Sequence, residues 1–144
     1  MPSSVVSLVG ACLVLVLLTF VVGLAMLVAR AREMQCKRIH PQAVSTSAGM
    51  ARLENVRPAD NFRNLFEVPV LFYALVAIAL ATHHVPAWMP AAAWTFVGLR
   101  MAHSIIHCTY NKVLHRLAVF ATGFTVLVVM WIAFVVSLVA DQSA

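Results

Sequence analysis

The sequence predicts an all-α membrane protein, a bundle of four transmembrane helices. Three observations predict it. The 144 residues are 62% hydrophobic and only 10% charged, where a soluble domain carries about 25% charged residues. The apolar residues fall into four runs, each near the ~20 residues that a helix needs to cross the hydrocarbon core. Lys and Arg gather in the connections between alternate runs, as they do when one face of the membrane is cytoplasmic.

The first span is expected at 5–30. Val5 to Ala29 contains no charged residue. No Lys or Arg precedes this run, and it is too long for the h-region of a cleaved signal, so it reads as a retained first helix. The second span is expected at 63–85. The stretch from Pro69 to Thr82 is too short to cross, so the helix is expected to start near Arg63. That start puts Glu67 inside the span or at its edge, where a carboxylate is costly and usually functional. Pro69 then falls in the first turns, where a missing N–H costs least. The third span, 87–110, follows a turn punctuated by Pro86 and Pro90, and it is interrupted by Arg100, His103 and His107. The fourth, 115–140, follows the turn TYNKVLHR. Four spans use up almost the whole chain, so residues 1–144 are expected to form one domain without internal repeats.

Seven of the ten basic residues lie between Arg30 and Arg63, and Lys112 and Arg116 sit in the third connection. The positive-inside rule puts both of these connections in the cytoplasm and both termini outside. The net charge of +5 is therefore a topological signal, and no nucleic-acid partner is expected. Cys12, Cys36 and Cys108 show no paired spacing, and no disulfide is expected. The connection 32–60, with its small, polar AVSTSAGMA, reads equally as a lid or as a solvated loop.

Two helices carry polar stripes. Arg63, Asn64 and Glu67 share a face of the second. Arg100, His103, His107 and Tyr110 fall within about 80° on the third. In lipid such groups must face protein or water and find partners. Glu67 is the one acidic residue available within a span, so a Glu67–Arg100 ion pair is expected to tie the second helix to the third. His103 and His107, four apart, admit a metal or haem reading, with His115 as a third ligand. Lining a polar cleft is the other reading, and no metal site is assigned. Arg30, Arg63, His103, His107 and Arg116 could converge on an anionic ligand that enters from the cytoplasm. A guanidinium offers a fixed fork for carboxylates and lowers the pKa of a nearby thiol.

RNLFEVP on the second helix and RMAHSIIHCTYNKVLHR across the third and fourth resemble the MAPEG superfamily, membrane-associated proteins in eicosanoid and glutathione metabolism. The resemblance covers nearly the whole chain. It implies a left-handed four-helix bundle that assembles as a homotrimer in an inner membrane, in the manner of bacterial members. Glutathione would be the cosubstrate, bound between subunits near the cytoplasmic face, and a lipophilic electrophile would enter from the lipid. The implied activity is a glutathione-dependent transferase or peroxidase. Arg116 matches the arginine that stabilises the glutathione thiolate, which makes it the catalytic candidate. Arg30, Arg63, Asn64, Glu67, Arg100 and His103 match glutathione-binding or bundle-fixing positions. Three positions depart from the pattern. His107 replaces a tyrosine of prostaglandin-synthase members, Leu117 a serine, and Phe120 a tyrosine that contacts the ligand. These changes point away from isomerase chemistry. A non-enzymatic membrane scaffold with the same fold is the rival reading.

Overall fold

A computed structural model describes residues 2–142. In chain order the elements are α1 (Ser3–Cys36), a 3-10 turn (Pro41–Val44), the single turn α2 (Ser47–Met50), α3 (Arg57–Ala81), α4 (Met89–Cys108) and α5 (Val113–Gln142). Three helices, α1, α3 and α5, are long and apolar enough to cross a bilayer. The fourth long helix, α4, has 20 residues and carries Arg100, His103 and His107, so its composition alone does not mark it as a span.

The helices differ in length from the expected spans. Nothing between Ala29 and Cys36 breaks a helix, so α1 runs on for 34 residues, about 51 Å at ~1.5 Å per residue. The hydrocarbon core takes up ~30 Å, so the charged end from Arg30 projects beyond it. Helix α3 starts at Arg57, six residues earlier than expected, with Pro58 in its first turn, where no N–H is needed. Pro69 therefore lies inside α3, not in its first turns, and the Leu65 carbonyl has no i+4 N–H partner.

Helix α1 packs on α3 and α4, and α5 packs mainly on α4. The core at their crossings is made by Leu8, Ala11 and Leu15 of α1, Phe72 and Leu75 of α3, Phe96 and Val97 of α4, and Leu127, Met130 and Phe134 of α5. Phe72 and Phe96 stack with ring centroids 4.9 Å apart. In lipid this burial gains little transfer energy, because acyl chains are as apolar as leucine; close packing holds the helices together. Glycine serves that packing at Gly23, where a Cβ would stand 2.9 Å from the Phe62 ring. Gly98 is different: a Cβ there would meet nothing within 4 Å. That position faces out of the bundle.

On α4, charge is segregated in the direction a membrane requires. The outward face of α4 carries Trp94, Met101 and Ile105, while Arg100, His103, Ser104 and His107 are buried. The connection between α1 and α3 is folded rather than slack. Glu33 accepts backbone N–H bonds from Glu54 (2.7 Å) and Asn55 (3.1 Å). Lys37 bridges Glu33 and Glu54 at 2.8 Å each. Thr46 caps α2 by accepting from the Gly49 N–H.

Candidate functional site

The chemistry-bearing residues meet where α3 begins, α4 ends and α5 begins. The first residue of α3 fastens this corner twice. The Arg57 Nη1 donates to the Thr109 carbonyl at 2.9 Å, and the Arg57 carbonyl lies 3.1 Å from the His107 Nδ1. One turn on, Asn61 is fully buried. It donates to the Cys108 Sγ and accepts from the Ser104 Oγ, each at 3.4 Å. These contacts set the register of α3 against α4.

Arg116, on the first turn of α5, points back into the corner. Its Nη1 donates to the His107 Nε2 and to the Asn111 Oδ1, both at 2.9 Å. Both Nη1 protons are then used, and the Nε and Nη2 protons remain for a ligand. A recess of about 220 Å3 opens there, lined by Asn64, His103, Val113, Arg116, Leu117 and Phe120. His103 is 3% exposed; neither ring nitrogen makes a hydrogen bond of good geometry within the chain, and the Arg116 backbone is the polar group close enough to act on the ring. A buried polar group without a well-formed hydrogen bond costs about 1–3 kcal/mol, so His103 is the least satisfied side chain lining the recess.

The expected site residues divide into four groups. Asn64, His103 and Arg116 share this recess. Arg30 and Arg63 line a second one, of about 480 Å3, with Asp60 and the hydroxyl-bearing Ser45, Thr46 and Ser47 of the first connection. His107 is 2% exposed and has both nitrogens engaged, so it supports Arg116 rather than lining the recess. This engagement also leaves no lone pair for a metal, and His115 instead meets the Tyr110 hydroxyl at 3.3 Å. Tyr110 lies beyond the end of α4 and is exposed, so it drops out of the polar stripe. Arg100 and Glu67 make up the fourth group.

The expected Glu67–Arg100 pair does not form. The face of α3 that packs inward is Asn61, Leu65, Val68 and Phe72. Glu67 lies on the opposite, exposed face with Arg63, Phe66 and Leu71. Arg100 turns toward α5 instead. It is 1% exposed, its guanidinium carbon stands 5.4 and 5.0 Å from the centroids of Phe96 and Phe120, and its Nη2 donates to the Phe120 carbonyl at 3.4 Å. Desolvated cation–π contacts of about 2 kcal/mol each offset part of the several kcal/mol that burying a cation costs.

Sequence reading missed Arg57, Asn61, Ser104 and Asn111. Arg57, Asn61 and Asn64 recur at helical spacing, a signal that was hidden by starting the second helix too late. Asn111, with φ 48°, is visible only once the chain is folded.

Long apolar helices around a buried polar corner define an integral, multi-pass membrane protein. The chain belongs to the MAPEG family, whose model matches residues 8–136. That membership brings membrane-bound, glutathione-related transferase and peroxidase chemistry in general. No curated protein and no solved structure matches the chain.

Proposed function

We propose that the protein is a glutathione-dependent transferase or peroxidase for lipophilic substrates, with α4 as its fourth span and Arg116 as the group that holds the thiolate. One observation carries this reading. Arg116, the buried His103 and Asn64 line one recess, and the two hydrogen bonds of Arg116 to His107 and Asn111 both use Nη1. A free thiol, with a pKa of about 8.5, is mostly protonated at neutral pH, and apolar walls favour the neutral form further. Arginine does not deprotonate, so it stabilises the anion without donating its proton. The thiolate pair then forms a C–S bond as the electrophile's leaving group departs with its bonding pair. With a hydroperoxide, the thiolate takes the terminal oxygen and the alcohol leaves. A second glutathione converts the sulfenic acid to disulfide and water. Leu117 and Phe120 offer no hydroxyl, so the positive charge acts without an added donor from those positions.

The recess of about 220 Å3 is smaller than the ~300–1,000 Å3 of sites that enclose a ligand. A neighbouring subunit of a homotrimer completes it. Arg63 and Asn64 are adjacent in sequence and face different recesses, so α3 can serve two sites at once. The basic recess of Arg30 and Arg63 suits the carboxylates of the peptide.

Glutathione titrated into the purified protein, read by calorimetry and by thiolate absorbance near 240 nm, tests the proposal. The parent should show thiolate at neutral pH. Arg116→Leu should move its formation to alkaline pH and lower neutral-pH turnover, with part of the activity returning in alkali. Arg63→Ala should weaken binding without moving the thiol titration. Absence of glutathione binding in the parent would favour the scaffold reading.

A further inference from the structure

His107 occupies the centre of the corner with its hydrogen bonds fully assigned. Arg116 has only donors, so the 2.9 Å contact from its Nη1 makes the His107 Nε2 an acceptor. The Arg57 carbonyl has only lone pairs, so the 3.1 Å contact at Nδ1 puts the ring proton there. A ring with one bare and one protonated nitrogen is neutral, in the tautomer that free histidine favours less. At 2% exposure water does not compete for either nitrogen. A second proton, on Nε2, would set two donors and two cations against each other.

We infer that His107 is a positioning residue: pinned as its Nδ1–H tautomer by the Arg57 carbonyl, it presents a bare Nε2 to Arg116 and so sets the direction in which that guanidinium meets the recess. Arg116 would otherwise have only Asn111 to hold it and several rotamers to explore. With both contacts on Nη1, rotation about the terminal bonds is stopped, and the guanidinium is held in one orientation at the recess that Arg116 lines. The strut joins three helices, because Arg57 begins α3, His107 ends α4 and Arg116 begins α5. The charged and titratable groups around the imidazole are Arg57 and Asp60 of α3, His103 of α4, whose ring centroid is 5.7 Å away, and Arg116 of α5. The inference deepens the proposed thiolate site and rests on it for its consequence in turnover, but not for the tautomer.

The first arm of the test needs no glutathione. Protein labelled with 15N-histidine and 15N-arginine in nanodiscs is compared with His107→Gln and His107→Phe, which also assign the signals. At neutral pH the parent should show His107 neutral and protonated on Nδ1, with distinct Arg116 Nη signals that average in His107→Phe. An Nε2–H or doubly protonated His107, or Arg116 signals that ignore the substitution, overturns the inference. The second arm titrates bound glutathione. His107→Phe should raise the thiol pKa by about one unit, which leaves tenfold less thiolate below it. It should lower kcat more than it raises KM, and His107→Gln, whose amide oxygen can accept from Arg116, should recover part of the loss. Variants that titrate like a thiolate-forming parent would overturn the positioning role. A parent with no thiolate but the expected nitrogen signals would sink the glutathione reading and leave the strut standing.

Discussion

Arg100 is held without a carboxylate, between two phenyl rings and one carbonyl, and its environment leaves little slack. A Cβ on Gly123 would stand 3.0 Å from the Arg100 Nη2. The guanidinium cannot retreat, because Phe96 and Phe120 bracket it. Gly123→Ala should therefore destabilise by about 1–3 kcal/mol, as overpacking usually does, seen as a lower unfolding temperature in detergent. Gly98→Ala is the contrasting case. The open space there and alanine's better helix propensity, worth up to about 1 kcal/mol, should keep or raise the stability of the isolated protomer. Equal losses in the two variants would show that Arg100 is not confined as described.

At the scale of elements, helix ends and the first connection carry the local strain. Helix α1 closes with Ile39 N–H to Met34 O and Arg38 N–H to Gln35 O. Helix α3 closes the same way, from His84 to Ala79 and from His83 to Leu80. This is the Schellman pattern, which favours glycine at its left-handed position. Here the position holds Arg38 at φ 52° and His83 at φ 55°. Each replacement by glycine should stabilise by up to about 1 kcal/mol, read as a higher midpoint of thermal unfolding; a lower midpoint would mean that the native side chain makes a contact worth more than the strain. The strap at Glu33 is a second element-scale device. Hydrogen bonds that the Lys37 ammonium donates, first to Glu33 and then to Glu54, hold it above its ordinary value of 10.5. A raised folded value means that the Lys37 contribution to the strap is fully present below 10.5 and is lost as pH climbs through the raised value, while the backbone N–H bonds to Glu33 remain. Glu33→Gln should open residues 37–56 to protease at neutral pH and leave the long helices protected. The parent should resist until strongly alkaline pH.

The whole molecule presents one face that lipid cannot satisfy. Arg63 and Glu67 are exposed on α3 beside Phe66, Val70 and Leu71. A carboxylate facing acyl chains is costly, and a second copy of the chain is the cover that the proposed trimer supplies. Glu67→Ala should shift native mass spectra from trimer toward monomer while helicity persists. A variant that stays trimeric would remove Glu67 from the subunit contact. Orientation can be read from the natural thiol of Cys36, which is exposed at the end of α1. A membrane-impermeant maleimide should reach it only from the cytoplasmic side, and a cysteine placed at Ser3 only from outside. Labelling of both from one side would overturn the proposed topology.

The sequence by itself determined that the chain is helical, that its long apolar runs suit a membrane, and that Arg100, His103 and His107 share one inward stripe. Those features are local. Periodicity is set by the pitch of a single helix, and on α4 the polar stripe turns inward because lipid offers it no partner; Glu67 and Arg63 of α3, which face outward, do not follow from that rule. The family motif is likewise written in consecutive residues. What only the tertiary structure decided is who meets whom. Glu67 and Arg100 looked like a forced pair because charge was counted without register; a rotation of about 100° per residue puts Glu67 outside and leaves Arg100 to two rings. His107 read as a ligand-facing residue until the Arg57 carbonyl and the Arg116 guanidinium were found on its two nitrogens. Arg57 lies 50 residues before His107, the three groups sit on three helices, and no spacing rule within one helix can bring them together. Their meeting depends on how the helices cross, which is fixed by packing spread over many side chains at once.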